Sequence, residues 1–265
     1  MSRALRLALL LIVLGCVYLF VARPYWFPSG VSTTSTPIDH QFKIAFWVFG
    51  TLFIVGHLVL IFVLSKKPQT DGKVSKGSWR LEVGWTLAVT VIFFWFNISG
   101  ERLWSSIMPM ERQAGDVEVE VTGAQFQWYF RYPGMDGVFG RTDAQKFAKP
   151  DEGNPLGIDP GDPSGRDDIL STSMVVPVGH SVQLHLRAQD VIHSLFIPAM
   201  RFKQDTVPGM EIHSHFTPTK IGVYEIACAE LCGLGHYRMR ATVRVLSEDD
   251  FAKWKHAQEA AAASH

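Results

Sequence analysis

The stretch Cys228-Ala-Glu-Leu-Cys232-Gly-Leu-Gly-His236-Tyr-Arg-Met239 places two thiols, an imidazole and a thioether in one short loop. Soft sulfur donors together with imidazole select copper or zinc over hard cations. A structural zinc site uses four nitrogen or sulfur ligands in a closed tetrahedron and has no use for Met. A weak Met ligand beside Cys and His is typical of copper sites that transfer electrons. Two cysteines also allow both thiolates to bridge two copper ions.

The alternative for Cys228 and Cys232 is a disulfide, since compartments outside the cytoplasm are oxidising. The histidine and methionine at their further spacings favour a metal site instead. So does a distant histidine in the segment Asp190-Val-Ile-His193-Ser-Leu-Phe-Ile-Pro198. The third cysteine, Cys16, lies in an apolar run, and three cysteines are too few for a disulfide framework.

The chain around this loop, from about residue 115 onward, has the pattern of short β-strands. Val117–Val121 alternates valine with acidic residues, as half-buried strands do. Further strands are predicted at Gln125–Tyr132, Ser173–Val178, Ser181–Arg187, Val191–Ile197, Glu211–Phe216, Val223–Ala227 and Arg240–Leu246. Their spacing, with Gly and Pro turns between them, predicts a Greek-key sandwich or barrel.

Two parts of this region are predicted to lie outside the barrel. The stretch 133–168 is rich in Gly, Pro and Asp with little apolar content, which indicates a long surface insertion. Four aspartates near its end, Asp159, Asp162, Asp167 and Asp168, lack the spacing of a calcium loop. Ser247–Ala263 begins with Ser-Glu-Asp-Asp and becomes Ala-rich, which predicts a terminal helix.

Three apolar segments precede the β region. The first, Leu5–Ala22, follows two arginines in the layout of a signal peptide or of a first anchor helix. Its apolar core is long for a signal peptide and slightly short for a spanning helix, so removal and retention both stay open. Ile44–Leu64 has the length that crosses a hydrocarbon core, and the next crossing is predicted from about Glu82 to Ile98.

A short polar loop between these crossings sets the topology. Its basic residues are Lys66, Lys67, Lys73, Lys76 and Arg80. Short loops rich in Lys and Arg face the cytoplasm, so everything after about Gly100 is predicted on the outer side.

Lys+Arg and Asp+Glu both number 25. This zero formal charge argues against a nucleic-acid partner, which needs a basic stripe.

These motifs together resemble one family. The pattern C-x-E-x-C-G-x-x-H-x-x-M is complete, as are the D-V-x-H-S segment and Lys203-Gln-Asp205-Thr-Val-Pro208-Gly209. Over about residues 41–246 the chain looks like subunit II of haem–copper cytochrome c oxidases. The resemblance implies a membrane-anchored all-β chain, in which an N-terminal transmembrane helical hairpin, plus the signal or anchor segment, precedes a cupredoxin-like Greek-key β-barrel.

The resemblance also implies a dinuclear copper centre, CuA. Its ligands in this chain would be His193, Cys228, Glu230, Cys232, His236 and Met239. The two thiolates would bridge two copper ions, the imidazoles would be terminal, and the thioether and the backbone carbonyl of Glu230 would be weak axial ligands. In the family the side chain of Glu230 also reaches a magnesium ion at the boundary with the catalytic subunit, and Asp205 lies near it.

The same resemblance implies functional roles for two further residues. The segment Gln127-Trp128-Tyr129-Phe130 is similar to the family's aromatic Q-W-Y-W, although Phe130 stands where Trp is usual. Trp128 would therefore receive the electron from cytochrome c, whereas the alternative is an aromatic packed into the core. Glu82 lies near the cytoplasmic boundary and would mark a proton-uptake path into the catalytic subunit. Its alternative role is to stabilise a helix N-terminus by charge.

The predicted function is electron input to a cytochrome c oxidase that reduces oxygen and pumps protons. The implied partners are cytochrome c, the catalytic haem–copper subunit I and subunit III, in a bacterial-type inner membrane with the copper domain on the periplasmic face. No C-x-x-C-H motif occurs, so covalent c-type haem is not encoded. The alternatives are the CuA subunit of a nitric oxide reductase and a Sco-type copper-delivery or thiol-redox protein. Gly233 and the strand pattern argue against the second.

The predicted domains are residues 1–24 as signal peptide or additional anchor, 41–100 as the hairpin, and 115–247 as the copper domain with an insertion at about 133–170. Residues 248–265 are predicted to form a C-terminal helix or tail.

Three histidines do not belong to these motifs. His57 is expected to form an interhelical hydrogen bond. His213 and His215 share one face of a predicted strand, where solvation is the default and metal binding the alternative.

Overall fold

The computed structural model describes residues 3–22, 29–66, 77–107, 115–143, 146–147 and 153–262. The chain divides into two compact units, Met1–Pro28 with Pro37–Pro109 and Ser29–Thr36 with Met110–His265. The helices are α1 (Arg3–Ala22), α2 (Ser35–Ser65), α3 (Trp79–Ile107) and α4 (Glu248–Ala262).

Two helices of the first unit, α2 and α3, are long and apolar enough to cross a membrane, with 31 and 29 residues. They contact each other where Gln41 Nε2 donates to Ser99 Oγ over 2.9 Å and where the rings of Phe49 and Phe96 stack 5.1 Å apart. Most of their large apolar side chains are exposed, as expected of helices that are hydrophobic all round and lie in lipid. Both helices extend beyond the predicted crossings into polar flanks.

The first apolar segment also forms a helix, α1, whose apolar window Leu7–Leu19 is shorter than the other two. Removal or retention of this segment therefore stays open. Of the basic loop that predicted the topology, Lys67, Lys73 and Lys76 lie outside the described residues.

The second unit contains two five-stranded sheets. Its strands are β1 (Val117–Ala124), β2 (Gln127–Tyr132), β3 (Ile169–Ser171), β4 (Met174–Pro177), β5 (Val182–Ala188), β6 (His193–Ile197), β7 (Phe202–Thr206), β8 (Ile212–Phe216), β9 (Gly222–Cys228) and β10 (Arg240–Leu246). The first sheet has the order β3-β2-β1-β5-β8 and the second β4-β10-β9-β6-β7. Apolar side chains from both sheets, such as Val119, Leu184 and Leu195, form one buried core. The prediction of a cupredoxin-like β domain behind apolar helices is thereby confirmed.

Two of the observed strands were not predicted from the sequence pattern. β3 has only three residues, which is too short to show a period. β7 reads Phe-Lys-Gln-Asp-Thr and lies at the edge of its sheet, where polar residues are tolerated on both faces. Conversely, Gln125 and Phe126, predicted as strand, form the turn between β1 and β2.

The insertion after β2 is tied to the domain through Arg131, whose side chain is 2% exposed. Its guanidinium donates to both carboxylate oxygens of Glu120, at 2.9 and 2.6 Å. It also donates to Asp168 Oδ2 at 2.9 Å and to the carbonyl of Gly140 at 2.8 Å. The described part of the insertion therefore packs against the first sheet at Arg131, because a buried guanidinium requires these acceptors.

Helix α4 starts where the sequence predicts. Ser247 Oγ accepts from the backbone N–H of Asp250 over 3.2 Å, which is the geometry of an N-cap. The ring of Trp254 then packs edge-on against Tyr132, with centroids 5.1 Å apart. The terminal helix is therefore attached to the domain through an aromatic contact.

Candidate copper site

The cysteine loop is closed at its base by strand pairing. β9 ends at Cys228, β10 begins at Arg240, and the backbone N–H of Cys228 donates to the carbonyl of Met239 over 3.1 Å. β6 lies on the other side of β9, with Leu195 opposite Cys228, so that His193 reaches the same end of the sheet. Three strand ends thus bring residues 35 positions apart into one site.

The two sulfurs are placed for a shared metal. Cys228 Sγ and Cys232 Sγ lie 3.9 Å apart, nearly twice the ~2.05 Å of a disulfide. Because a metal–thiolate bond measures about 2.3 Å, one ion can bond both sulfurs at this separation. An ion can do so on either side of the sulfur pair.

Each sulfur has its own imidazole neighbour. His193 Nδ1 lies 4.0 Å from Cys228 Sγ, and His236 Nδ1 lies 3.6 Å from Cys232 Sγ. Both histidines therefore face the sulfur pair with the same ring nitrogen. The arrangement places one imidazole donor beside each sulfur.

Two weaker donors complete the set. Met239 Sδ lies 3.8 Å from Cys232 Sγ, and the carbonyl oxygen of Glu230 lies 3.2 Å from Cys228 Sγ. Met239 and His193 are fully buried, and Cys232 is 3% exposed. The structure thus brings all six residues predicted as ligands by the resemblance into one cluster.

A second layer holds these donors in place. Asp190 Oδ1 lies 2.8 Å from His193 Nε2, which leaves Nδ1 free to face the sulfurs when Nε2 carries the proton. A carboxylate behind a ligating imidazole is the usual arrangement at metal sites. The backbone N–H of Gln125 donates to Asp190 over 2.7 Å, and its side-chain amide donates to the carbonyl of Cys232. Gln125 thereby joins both halves of the site, a role that its sequence position did not indicate.

The electrostatics of the cluster favour a cation. Burial raises the pKa of the Cys232 thiol to about 11, and the neighbouring Cys228 adds to the shift. Although burial opposes it, hydrogen bonds from His193 and two backbone N–H groups hold the pKa of Asp190 below its usual range. A metal ion would supply the positive charge that the thiolate form of Cys232 requires, and its binding would release protons. The donor set of thiolate, imidazole and thioether fits copper.

The indole of Trp128 lies beside this cluster. Its ring centroid is 6.0 Å from that of His193, edge to face. Gly123 leaves the space between them, since a Cβ there would lie 2.9 Å from His193 Cδ2 and 3.1 Å from Trp128 Cζ3. Trp128 is only 1% exposed, so a docked protein cannot touch its ring directly.

A second aromatic side chain that packs on the site is Phe126, which sequence reasoning missed. It is partly buried, and its ring packs so closely on the copper loop that a Cβ on Gly235 would lie 2.3 Å from Cδ2. The glycines that separate the loop's ligands thus make room for this ring. Their spacing was the one available signal that an aromatic side chain packs against the loop.

Two other predicted residues lie outside the cluster. Asp205 is on β7 and accepts from Ser194 Oγ over 2.6 Å and Lys203 Nζ over 3.1 Å. These hydrogen bonds hold its pKa below the usual range. Glu82 is in the first turn of α3, in the helical unit, where its charge suits a helix N-terminus.

Residues 117–246 match the family described as cytochrome C oxidase subunit II, periplasmic domain. The alternative cytochrome c oxidase subunit 2 of Bradyrhizobium diazoefficiens is 33% identical over 97% of this chain and 92% of that protein. The chain belongs to the cytochrome c oxidase subunit II family. The cytochrome c oxidase subunit 2 of Cereibacter sphaeroides is 29% identical over 88% of this chain and 81% of its own length. A solved periplasmic domain of subunit II from Bradyrhizobium japonicum is 27% identical, with a TM-score of 0.41, over 57% of this chain and 97% of that domain.

Membership has direct consequences. As a member of this family, the chain is part of an oxidoreductase complex, and its apolar helices and periplasmic-type domain indicate a membrane-anchored subunit. The His193, Cys228 and Cys232 cluster fits the copper site of the family. The predicted function is therefore supported over the alternatives, namely a Sco-type delivery protein and a nitric oxide reductase subunit.

Proposed function

We propose that this subunit accepts electrons from cytochrome c at a dinuclear copper centre and passes them to haem in the catalytic subunit. The observation that carries this proposal is the sulfur pair at 3.9 Å with one imidazole beside each sulfur. Bound copper would supply a one-electron couple, shared between two ions through both thiolates. Cys228 and Cys232 would bridge, His193 and His236 would be terminal, and the weak donors would be Met239 and the Glu230 carbonyl.

The protein's own contribution is to keep these donors fixed. Strands β6, β9 and β10 anchor the ligands at both ends of the loop, and Asp190 holds the ring of His193. Met239 and His193 are fully buried and Cys232 is nearly so. A donor set held in one geometry would change little when one electron is added or removed, which suits an electron relay.

The test uses the full chain in detergent, loaded with copper and dialysed. We expect two copper ions per chain and an EPR signal split by two equivalent copper nuclei, because both thiolates share the unpaired electron. Metal analysis and EPR on the same sample measure both quantities. A stoichiometry of one, with the spectrum of a single copper, would overturn the dinuclear centre.

The electron's path to the copper centre is proposed to run through Trp128, supported by its edge-on contact with His193. Because the indole is covered, the donor would dock on the side chains above it.

We further propose cytochrome c as that donor, subunits I and III as neighbours, and an inner membrane with the copper domain on the periplasmic face. The domain boundaries at residues 24, 41–100 and 115–247 also stay predictions.

Two family roles remain as proposals on exposed carboxylates. Glu82 would serve proton uptake. Glu82→Gln in the assembled oxidase should slow turnover without changing its copper content, and unchanged turnover would leave Glu82 as a helix-terminal charge.

Glu230, with Asp205 nearby, would bind magnesium at the boundary with subunit I. Manganese bound in place of magnesium should lose its EPR signature in Glu230→Gln, and a retained signature would exclude Glu230.

A further inference from the structure

A second cluster of potential metal ligands lies on the outer face of the first sheet. His185 on β5 is directly opposite His213 on β8, and their rings are edge to face with centroids 4.9 Å apart. Glu211, just before β8, places Oε1 3.0 Å from His185 Nδ1 and 3.6 Å from His213 Nε2. One donor atom from each of the three residues lies within 4.8 Å of the others.

We propose that His185, Glu211 and His213 form a binding site for a divalent transition-metal ion of the zinc class, separate from the copper centre. Zinc bonds of about 2.0–2.2 Å place tetrahedral donors roughly 3.4 Å apart. The distances to Glu211 Oε1, 3.0 and 3.6 Å, match that spacing. Two imidazoles and one carboxylate are also ligands that zinc takes in sites with an open fourth position.

The groups around His185 are those of a ligating histidine. Its other ring nitrogen, Nε2, lies 3.2 Å from Glu118 Oε2. Metal-bound histidines almost always donate their second N–H to a carboxylate in this way. Arg187 meanwhile donates to Oε2 of Glu211, which leaves Oε1 directed at both imidazoles. His185 and Glu211 therefore each have a second-layer partner of the kind that metal ligands have.

Proton chemistry alone accounts for this cluster less well. A neutral imidazole carries one N–H, yet both ring nitrogens of His185 face carboxylate oxygens, at 3.0 and 3.2 Å. The missing positive charge must come from an extra proton or from a cation. An extra proton on His185 satisfies its own two carboxylate contacts but does not involve His213 Nε2, which lies 3.6 Å from Glu211 Oε1. Protonation of both rings would place two like charges on rings whose centroids are 4.9 Å apart. One cation bound by both imidazoles avoids this repulsion.

The surrounding ion pairs hold Glu211 in place. Among the described residues, the ion pairs on this face join Glu120, Glu211 and Asp168 to Arg131 and Arg187. Glu211 therefore offers a carboxylate to the two imidazoles from within a network that already fixes its position. His213 and Glu211 remain partly exposed, at 46% and 35% of their side chains, so an ion can reach the site from solvent.

The experiment uses the full chain in detergent with its copper centre filled, so that the sulfur ligands are not available to zinc. Zinc is titrated and then measured by metal analysis after dialysis, alongside copper. We expect one zinc ion per chain beyond the copper, and its loss in His213→Ala. Glu118→Gln should weaken zinc binding by about 10–100-fold, as expected for a carboxylate behind a ligating histidine.

His215→Ala is the matched control, since His215 lies two positions along the same strand, on the same face, opposite Gln183. It should bind zinc as the unmodified chain does. The copper content of each variant reports that the domain is folded, and His213 is exposed enough that its truncation leaves no cavity. Zinc retained by His213→Ala, equal loss in both variants, or no stoichiometric zinc in the unmodified chain would each overturn the site. Equal loss in both variants would mean that zinc binds adventitiously. No stoichiometric zinc in the unmodified chain would mean that protons, not a metal ion, hold the cluster together.

Discussion

Cys232→Ser is expected to leave at most one copper ion per chain and to abolish the shared-electron EPR signal. Cys232 is 3% exposed, and its sulfur lies within 4.0 Å of Cys228 Sγ, His236 Nδ1 and Met239 Sδ. A serine hydroxyl is a hard donor that does not replace a bridging thiolate. With the bridge gone, the two ions no longer share an electron. Oxygen consumption by the assembled oxidase with cytochrome c should therefore fall to background.

The matched control is Cys16→Ser, which removes the third cysteine from α1 in the helical unit. That variant should keep its full copper content, EPR signal and turnover. Metal analysis and EPR are read on both variants purified in the same way. If Cys232→Ser retained two coppers with an unchanged spectrum, the sulfur pair would not be the bridge, whatever its effect on turnover.

The sequence predicted this site well because most of its ligands lie close together along the chain. Cys228, Cys232 and His236 are held in one loop by the β9–β10 pairing, so their spacing along the chain already limits their spacing in space. His193 comes from another strand, and its place was predicted through the family resemblance rather than from periodicity. The strand pairing of Leu195 with Cys228 supplies the physical reason for its position.

What the sequence did not predict depends on contacts between distant segments. Gln125 links Asp190 to the carbonyl of Cys232, yet its own neighbourhood reads as an ordinary strand. The pairing of His185 with His213 likewise depends on the register of two strands joined by a long connection. A tight turn fixes the register of the two strands that it joins, but no such turn connects β5 to β8, so their register could not be predicted from the sequence. The same limit explains why the insertion, rich in turn residues, gave no sign that it covers Arg131.

The burial of Trp128 makes its proposed role testable in a specific way. The indole is 1% exposed, and no acceptor among the described residues meets its Nε1. Replacing it by phenylalanine therefore removes an unpaired buried donor, which offsets part of the cost of the smaller ring. Trp128→Phe should fold and keep its copper, so a change in rate can be separated from a loss of the site.

Electron transfer from reduced cytochrome c to the copper centre of the assembled oxidase should be slowed about tenfold or more in Trp128→Phe, equivalent to roughly 1.4 kcal/mol of barrier. The reason is that the indole approaches the His193 ring across Gly123, and the smaller ring withdraws from that contact. Stopped-flow absorbance measures the rate. Tyr129→Phe is the control, because Tyr129 is the next residue of β2 and points to the opposite face of the sheet. Equal rates in the two variants, with copper spectra unchanged, would assign Trp128 to the core alone and would direct attention to Phe126, the partly exposed ring that packs on the copper loop.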